Sequence, residues 1–88
     1  MNYAVIWLPD AEQELAAIWL AATDRRGVTR TAHTIDSLLR HDPGSQGESR
    51  EEDRRILIAL PLCVVFRVLE QAHRVEVIHV RSVRSRSR

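Results

Sequence analysis

The stretch from Arg54 to Val83, RRILIALPLCVVFRVLEQAHRVEVIHVRSV, decides the fold. It contains two runs rich in β-branched residues, Arg54–Leu60 and Leu62–Leu69, which are divided by Pro61, and a third run, Arg74–Val83, that follows a polar turn. Short runs of this composition, bounded by turn residues, predict three consecutive strands. Because strands joined by short turns pair antiparallel, the sequence predicts a C-terminal β-meander.

The chain begins with a further predicted strand and a helix. Tyr3–Leu8 is a short apolar run that ends at Pro9 and predicts the strand. Asp10 and Gln13 have the spacing of a capping box, which places the start of a helix at Pro9-Asp10. Apolar residues then recur at helical spacing. They are Ala11, Leu15, Ile18, Trp19 and Ala22.

A second helical stripe follows Gly27, which we take as the stop of the first helix. The stripe consists of Val28, Ala32, Ile35, Leu38 and Leu39, and it ends before the turn signal at residues 41–44. Residues 45–53 are polar and predict a loop. The order β-α-α-β-β-β predicts an α+β fold, with an antiparallel helical hairpin packed on one face of a mostly antiparallel four-stranded sheet.

Composition limits the class of protein. With 88 residues, 44% of them apolar and 28% charged, the chain predicts a single globular domain over residues 1–88, with a frayed basic tail at about 85–88. Its longest apolar run is too short to span a bilayer, and no basic segment precedes the first apolar run, so we expect a cytoplasmic protein. The single cysteine, Cys63, excludes a disulfide framework and is interpreted as a small buried hydrophobe. Scattered histidines and only three glycines predict no metal and no cofactor.

The net charge of +1 conceals an asymmetry between the two halves of the chain. Residues 1–53 carry five arginines and ten acidic residues, whereas residues 54–88 carry eight arginines and two acidic residues. A basic half can present a positive face to phosphates. Alternatively, acidic helices neutralise a basic sheet by lying against it.

Strand alternation selects the candidate chemistry. Strict alternation places Val75, Val77, His79 and Arg81 on one side of the last strand, and Ile78 and Val80 on the other. Arg67, His79 and Arg81 are candidates to share the face away from the helices, where the arginines would bind phosphate and His79 would move protons. The alternative is that these residues are ordinary solvent-facing side chains of an open sheet.

The pattern resembles the RelE/ParE toxin superfamily, the toxin halves of type II toxin–antitoxin pairs. The resemblance lies in YAVIWLPDAEQELAAIW at the start, IDSLLRHDP at the end of the second helix, GESREEDRRILIALPLCVVFRV, and the final VEVIHVRSVR, and it covers about residues 3–84. The resemblance implies a toxin that inhibits growth, contributes to plasmid stabilisation, and is neutralised by a cognate antitoxin.

The superfamily divides in mechanism. RelE-like members cleave mRNA on the ribosome, and ParE-like members inhibit DNA gyrase. Arg54 matches a basic RelE-like position and is, with His79, a candidate catalytic residue. At the next RelE-like basic position the chain has Cys63, and no tyrosine follows the C-terminal arginine position, taken by Arg84 or Arg81. Most of the RelE-like catalytic set is therefore absent.

Further arginines are candidate contacts for a phosphate, a nucleic acid or another target. They are Arg50, Arg55, Arg67, Arg81 and Arg84, of which Arg67 matches an arginine shared across the superfamily. Three functions stay open at this stage. They are a gyrase-binding toxin, an mRNA endoribonuclease with a divergent Arg/His site, and a non-toxic protein-binding domain. Homodimerisation is also open, as is the role of the GESR loop that contains Ser49.

Overall fold

The computed structural model describes residues 2–50 and 52–83. Strand β1 (Ala4–Trp7) is followed by helices α1 (Pro9–Ala21) and α2 (Arg25–His41), and then by strands β2 (Glu48–Ser49), β3 (Arg54–Ala59), β4 (Leu62–Leu69) and β5 (Arg74–Ser82). The predicted α+β class and element order are confirmed. The one addition is β2, two residues long, within the predicted loop. Arg84 and the predicted basic tail lie outside the described residues.

The sheet has the strand order β1-β5-β4-β3-β2. The pairs β2–β3, β3–β4 and β4–β5 are antiparallel, which is the predicted meander with β2 added at its edge. Strand β1 instead pairs parallel with β5, and its four residues cover only Arg74–Val77. The remainder of β5, from Ile78 to Ser82, therefore extends beyond β1.

The core lies between the two helices and one face of the sheet. From α2, Ile35 and Leu39 are completely buried, and they belong to one hydrophobic cluster with Val64, Phe66 and Val77 of the sheet. Burying one such side chain contributes about 1.5–3 kcal/mol relative to leaving it exposed. Among the described residues, no element covers the opposite face of the sheet, which we call the open face.

A β-bulge in β5 changes which residues reach the core. Val65 pairs with His79 whereas Phe66 pairs with Val77, so Ile78 is the extra residue. Beyond a bulge, side chains no longer keep strict alternation with those before it. The strict alternation predicted from sequence was therefore wrong beyond Val77. Val80 joins Val77 in the core, and His79 and Arg81 turn to the open face, where Arg67 also lies.

Helix α1 begins at Pro9, as predicted, but the capping of both helices differs from the sequence prediction. The N-cap of α1 is Leu8, whose side chain makes no capping hydrogen bond, and Pro9 occupies the first turn. The predicted capping box was therefore wrong. Gly27 does not stop α1 but lies in the first turn of α2, where its N–H donates to the side chain of the N-cap residue Asp24 at 2.9 Å. The carboxylate cap, rather than the glycine, separates the two helices.

We predict that Phe66→Ala lowers the free energy of unfolding by about 3–5 kcal/mol, because the substitution leaves a cavity in the middle of the core. Leu20→Ala is the matched control, since Leu20 is 64% exposed and its truncation should cost less than about 0.5 kcal/mol. Urea denaturation followed by far-UV circular dichroism measures both. Equal losses in the two variants would contradict this account of the core.

Candidate functional site

A cluster of charged side chains lies on the open face at the middle of the sheet, and we call it the central cluster. It comprises Arg54 of β3, Arg67 of β4, and Arg74 and Glu76 of β5. Arg67 pairs across the strands with Arg54 on one side and with Glu76 on the other. Side chains directly opposite each other in antiparallel strands have Cβ atoms about 4.5–5.5 Å apart, so these three form one row across the sheet.

Glu76 is the acceptor at the centre of this cluster. The residue is only 8% exposed, although it carries a carboxylate. Arg67 donates to its Oε1 from Nε at 2.9 Å, and its Nη2 forms an ion pair with the same oxygen at 2.8 Å. Arg74 adds an ion pair to Oε2 at 3.4 Å. A buried charge is tolerated when it is paired in this way. Arg67 and Arg74 on the open face are therefore already paired with an anion of the protein itself, the Glu76 carboxylate.

The other arginines near β3 differ in their partners. Arg50 forms an exposed ion pair with Glu48, with 3.1 Å between Nη1 and Oε1. Arg54 is exposed and makes no ion pair or side-chain hydrogen bond with any described residue. A concave region of about 280 Å³ lies beside these side chains and is also lined by Arg55. Arg54 is thus the arginine of this region that is best placed to meet a ligand.

Arg55 has a structural role in addition to its predicted one. It lies on the helix-side face of β3, and its guanidinium donates to Gln46 O at 2.9 Å, to Ser49 Oγ at 2.8 Å and to Gly47 O at 3.3 Å. These bonds hold the segment that forms β2 against β3. Gly47 itself has a φ of +69°, and a Cβ there would collide with the Ile56 carbonyl, so the segment requires glycine at this position.

A second cluster lies at the part of β5 that extends beyond β1, and we call it the edge cluster. Glu14 of α1 accepts the backbone N–H of Val80 at 2.8 Å. Its carboxylate also lies 3.2 Å from Nδ1 of His79 and 3.4 Å from Nη1 of Arg81. The Glu14 side chain thus accepts the hydrogen bond from Val80 N–H that a backbone carbonyl would accept if β1 were longer. Glu14 was missed by the sequence analysis, because its partners are more than 60 residues away along the chain.

These contacts lower the pKa of the Glu14 carboxyl below its ordinary value of 4.5. The main cause is the hydrogen bond from the Val80 N–H, and the neighbouring His79 and Arg81 act in the same direction. The carboxylate is therefore ionised at neutral pH. The Glu14 carboxylate faces Nδ1 of His79 and favours the tautomer that carries the hydrogen on Nδ1. Nε2 is therefore the ring nitrogen that is available to another group.

The candidate site residues are thus divided between two places. The central cluster contains Arg54 and Arg67, whereas His79 and Arg81 lie in the edge cluster. Two other groups that could move protons, Glu70 and His73, are in contact with Tyr3. Its hydroxyl donates to Glu70 at 2.6 Å, and its ring stacks on His73. The hydrogen bond to Glu70 raises the pKa of Tyr3.

Apolar side chains occupy the open face between these clusters. Ile56 and Ile58 project from β3, and Val65 lies opposite Ile56 on β4. Ile58 is 62% exposed. Cys63 belongs to the same surface, opposite Ile58 and Arg81, and is partly exposed rather than buried. The sequence analysis placed it inside because its neighbours are apolar, but its own side of β4 faces away from the helices.

A groove of about 400 Å³ runs between the two helices on the other side of the molecule. It is lined mainly by apolar side chains, among them Trp7, Leu15 and Trp19. Trp19, a member of the apolar stripe from which the first helix was predicted, is not a core residue, since it is 39% exposed. Its ring is instead covered by the guanidinium of Arg25 at 4.6 Å, a cation–π contact. Neither helix of the described residues has the length and apolar character needed to cross a membrane.

Comparison with known proteins gives structural matches only. No protein-family model and no curated protein sequence is significantly similar to the chain. Among solved structures, a chain of the RelBE2 toxin–antitoxin complex from Mycobacterium tuberculosis matches with a TM-score of 0.75 at 14% identity, over 93% of this chain and 92% of that one. A chain of the ParDE system from P. aeruginosa gives 0.72 at 16% identity, over 93% and 97%. The isolated E. coli RelE toxin gives 0.61 at 16% identity, over 96% and 87%.

The chain has the RelE/ParE toxin fold. The resemblance identified from the sequence is therefore confirmed at the level of the fold, over nearly the whole length of each match. Within this fold, Cys63 lies on the open face at the position where the resemblance implies a RelE-like basic residue. Arg67, the arginine shared across the superfamily, lies in the same face but is paired with Glu76.

We predict that Glu14→Gln destabilises the protein by about 1 kcal/mol at pH 7, because the charged acceptor of the Val80 N–H becomes a neutral one. A carboxyl whose pKa is lowered by folding contributes stability above its unfolded pKa and loses it as the pH falls through the folded one. The difference from wild type should therefore shrink as the pH is lowered from about 5 to 3. Glu48→Gln is the control, since it breaks an exposed ion pair of little energetic value. A pH-independent difference for Glu14→Gln would contradict the assignment.

Proposed function

We propose that the chain is the toxin of a type II toxin–antitoxin pair and that it inhibits growth by binding a protein target, DNA gyrase, in the manner of ParE-like toxins. The fold supports the toxin role, since the matching solved structures include RelE and ParDE proteins. The arrangement of charged groups on the open face supports the binding mode over RNA cleavage.

One observation carries this choice: the ion pair between Arg67 and Glu76. Cleavage of RNA by its 2′-hydroxyl requires a base, an acid and cationic groups that stabilise the phosphate. The guanidinium of Arg67 is directed at Glu76, and Arg74 contributes to the same carboxylate. The histidine that could move a proton lies in the other cluster. The open face also carries the exposed side chain of Ile58 and the partly exposed side chains of Ile56 and Val65, and apolar surface of this kind favours a protein partner.

A cognate antitoxin is the second part of the proposal. The RelBE2 and ParDE matches are chains of toxin–antitoxin assemblies. In this chain, the groove between α1 and α2 has an apolar floor, with Glu12, His33 and Asp36 among the residues that line it. An amphipathic segment that folds on docking buries apolar side chains in a groove of this kind.

The edge cluster favours a second candidate function, mRNA cleavage with a divergent site. There the Glu14 carboxylate lies 3.2 Å from the imidazole of His79 and 3.4 Å from the guanidinium of Arg81. If this function is correct, His79→Ala should lower the cleavage rate by about 10²–10⁴-fold, as expected for loss of a proton-transfer group. Arg54→Ala, which removes a phosphate contact, should weaken binding and reduce its salt dependence.

The deciding experiment is to induce the chain alone in growing bacteria and to follow labelled thymidine and labelled amino acids separately. We expect incorporation of thymidine to fall first, and co-expression of a cognate antitoxin to restore it. His79→Ala should leave the effect in place, because the proposal gives that residue no catalytic role.

Two results would contradict this proposal. If incorporation of amino acids falls first and His79→Ala abolishes the effect, the mRNA-cleaving function is correct. If growth is unchanged while folded protein accumulates, the chain is a protein-binding domain without toxicity in that host. A chain carrying Phe66→Ala serves as a destabilised control.

A further inference from the structure

Glu76 affects which classes of molecule can bind the open face, and this inference goes beyond the proposed target. The face that carries it belongs to the arginine-rich half of the chain, where residues 54–88 contain eight arginines and two acidic residues. A face of this composition would attract RNA and DNA without regard to sequence, because arginines contact phosphates bidentately. A toxin that acts on a protein gains nothing from such binding.

The geometry shows how that attraction is limited. Glu76 is one of only two acidic residues in this half, and it lies beneath two arginines rather than in solvent. Both Nε and Nη2 of Arg67 are directed at its Oε1, and Nη2 of Arg74 is directed at its Oε2. The Nε–Nη2 edge of Arg67 is therefore already occupied by a carboxylate of the protein, and Arg74 is paired with the same group.

A competing phosphate would have to displace this carboxylate. Removing the cations from a buried acid leaves an uncompensated charge, which is strongly unfavourable. The carboxylate is also attached to β5 directly between Val75 and Val77, two completely buried core residues, so it cannot move away with the strand in place. The ion pairs of Glu76 consequently disfavour the binding of polyanions and leave the neighbouring apolar side chains accessible.

We propose that Glu76 is a specificity-determining residue, which prevents the open face from binding nucleic acid by holding Arg67 and Arg74 in ion pairs. Its replacement by the isosteric glutamine keeps a hydrogen-bond acceptor but removes the charge. The two guanidiniums then become available to phosphates. The inference concerns the binding properties of the purified chain, so its outcome is independent of whether the chain inhibits growth.

The test is to measure binding of a fluorescent single-stranded RNA of 12 nucleotides by anisotropy, between 50 and 200 mM salt. Glu76→Gln should bind about tenfold more tightly than wild type at low salt, and its log–log salt slope should become steeper by about 0.7 for each new phosphate contact. Glu70→Gln changes the net charge equally but frees no arginine of the central cluster, so it should stay within about twofold of wild type. An equal gain in both variants, or no gain in Glu76→Gln, would overturn the proposal.

A second variant keeps the test informative if Glu76→Gln is unstable. Replacing both members of the pair, Arg67→Met with Glu76→Met, leaves the net charge unchanged, and such replacement of a buried ion pair is often neutral or stabilising. Because Arg67 is already occupied in the wild type and the double variant frees only Arg74, we expect RNA affinity to stay the same or to rise by less than in Glu76→Gln. A clear loss of RNA binding in this double variant would show that Arg67 contacts phosphate despite Glu76, and would overturn the inference.

Discussion

The parallel pairing of β1 with β5 brings the start and the end of the described chain together, and the positions of both charged clusters depend on it. Parallel strands need a long connection, which here consists of the two helices and the meander. Because β1 has four residues and β5 has nine, about half of β5 has no strand on the side opposite to β4. The Glu14 carboxylate fills part of that gap, and its charge gathers His79 and Arg81 at the same edge.

The charge asymmetry between the two halves of the chain is resolved in two different ways. In the edge cluster, Glu14 of the acidic half contacts His79 and Arg81 of the basic half. This is the neutralisation expected when acidic helices lie against a basic sheet. In the central cluster, the basic half supplies its own acid, Glu76, and buries it. What remains for a partner is a face with one arginine, Arg54, that has no ion pair among the described residues, next to the exposed apolar side chain of Ile58.

The sequence predicts the fold well, because the apolar periodicity of each element agrees with the layer in which it lies. Five residues were predicted as one stripe of the second helix, and four of them are buried, namely Val28, Ala32, Ile35 and Leu39, whereas Leu38 is partly buried. The errors arise where one residue changes a local pattern. Ile78 inserts a bulge that no pattern of apolar residues distinguishes from a regular strand, and Asp24 rather than Gly27 marks the boundary between the helices.

The candidate site was less predictable than the fold. Arginine and histidine positions could be read from the sequence, but their partners could not, because Glu14 and Val80 are distant in the chain and Glu76 acts only through the register of β4 with β5. The sequence also gave no reason to expect that the side chain of Arg55 bonds to the segment before β3. Whether an arginine is a contact for a ligand depends on what already faces it.

The central claim, that the open face serves protein binding and not RNA cleavage, is tested most directly by titrating the purified chain into a supercoiling reaction of purified DNA gyrase. The account predicts that supercoiling is lost as the chain approaches the concentration of the enzyme, and that the antitoxin restores it. Full supercoiling at a large excess of folded chain, from a preparation that cleaves mRNA on ribosomes, would contradict the account.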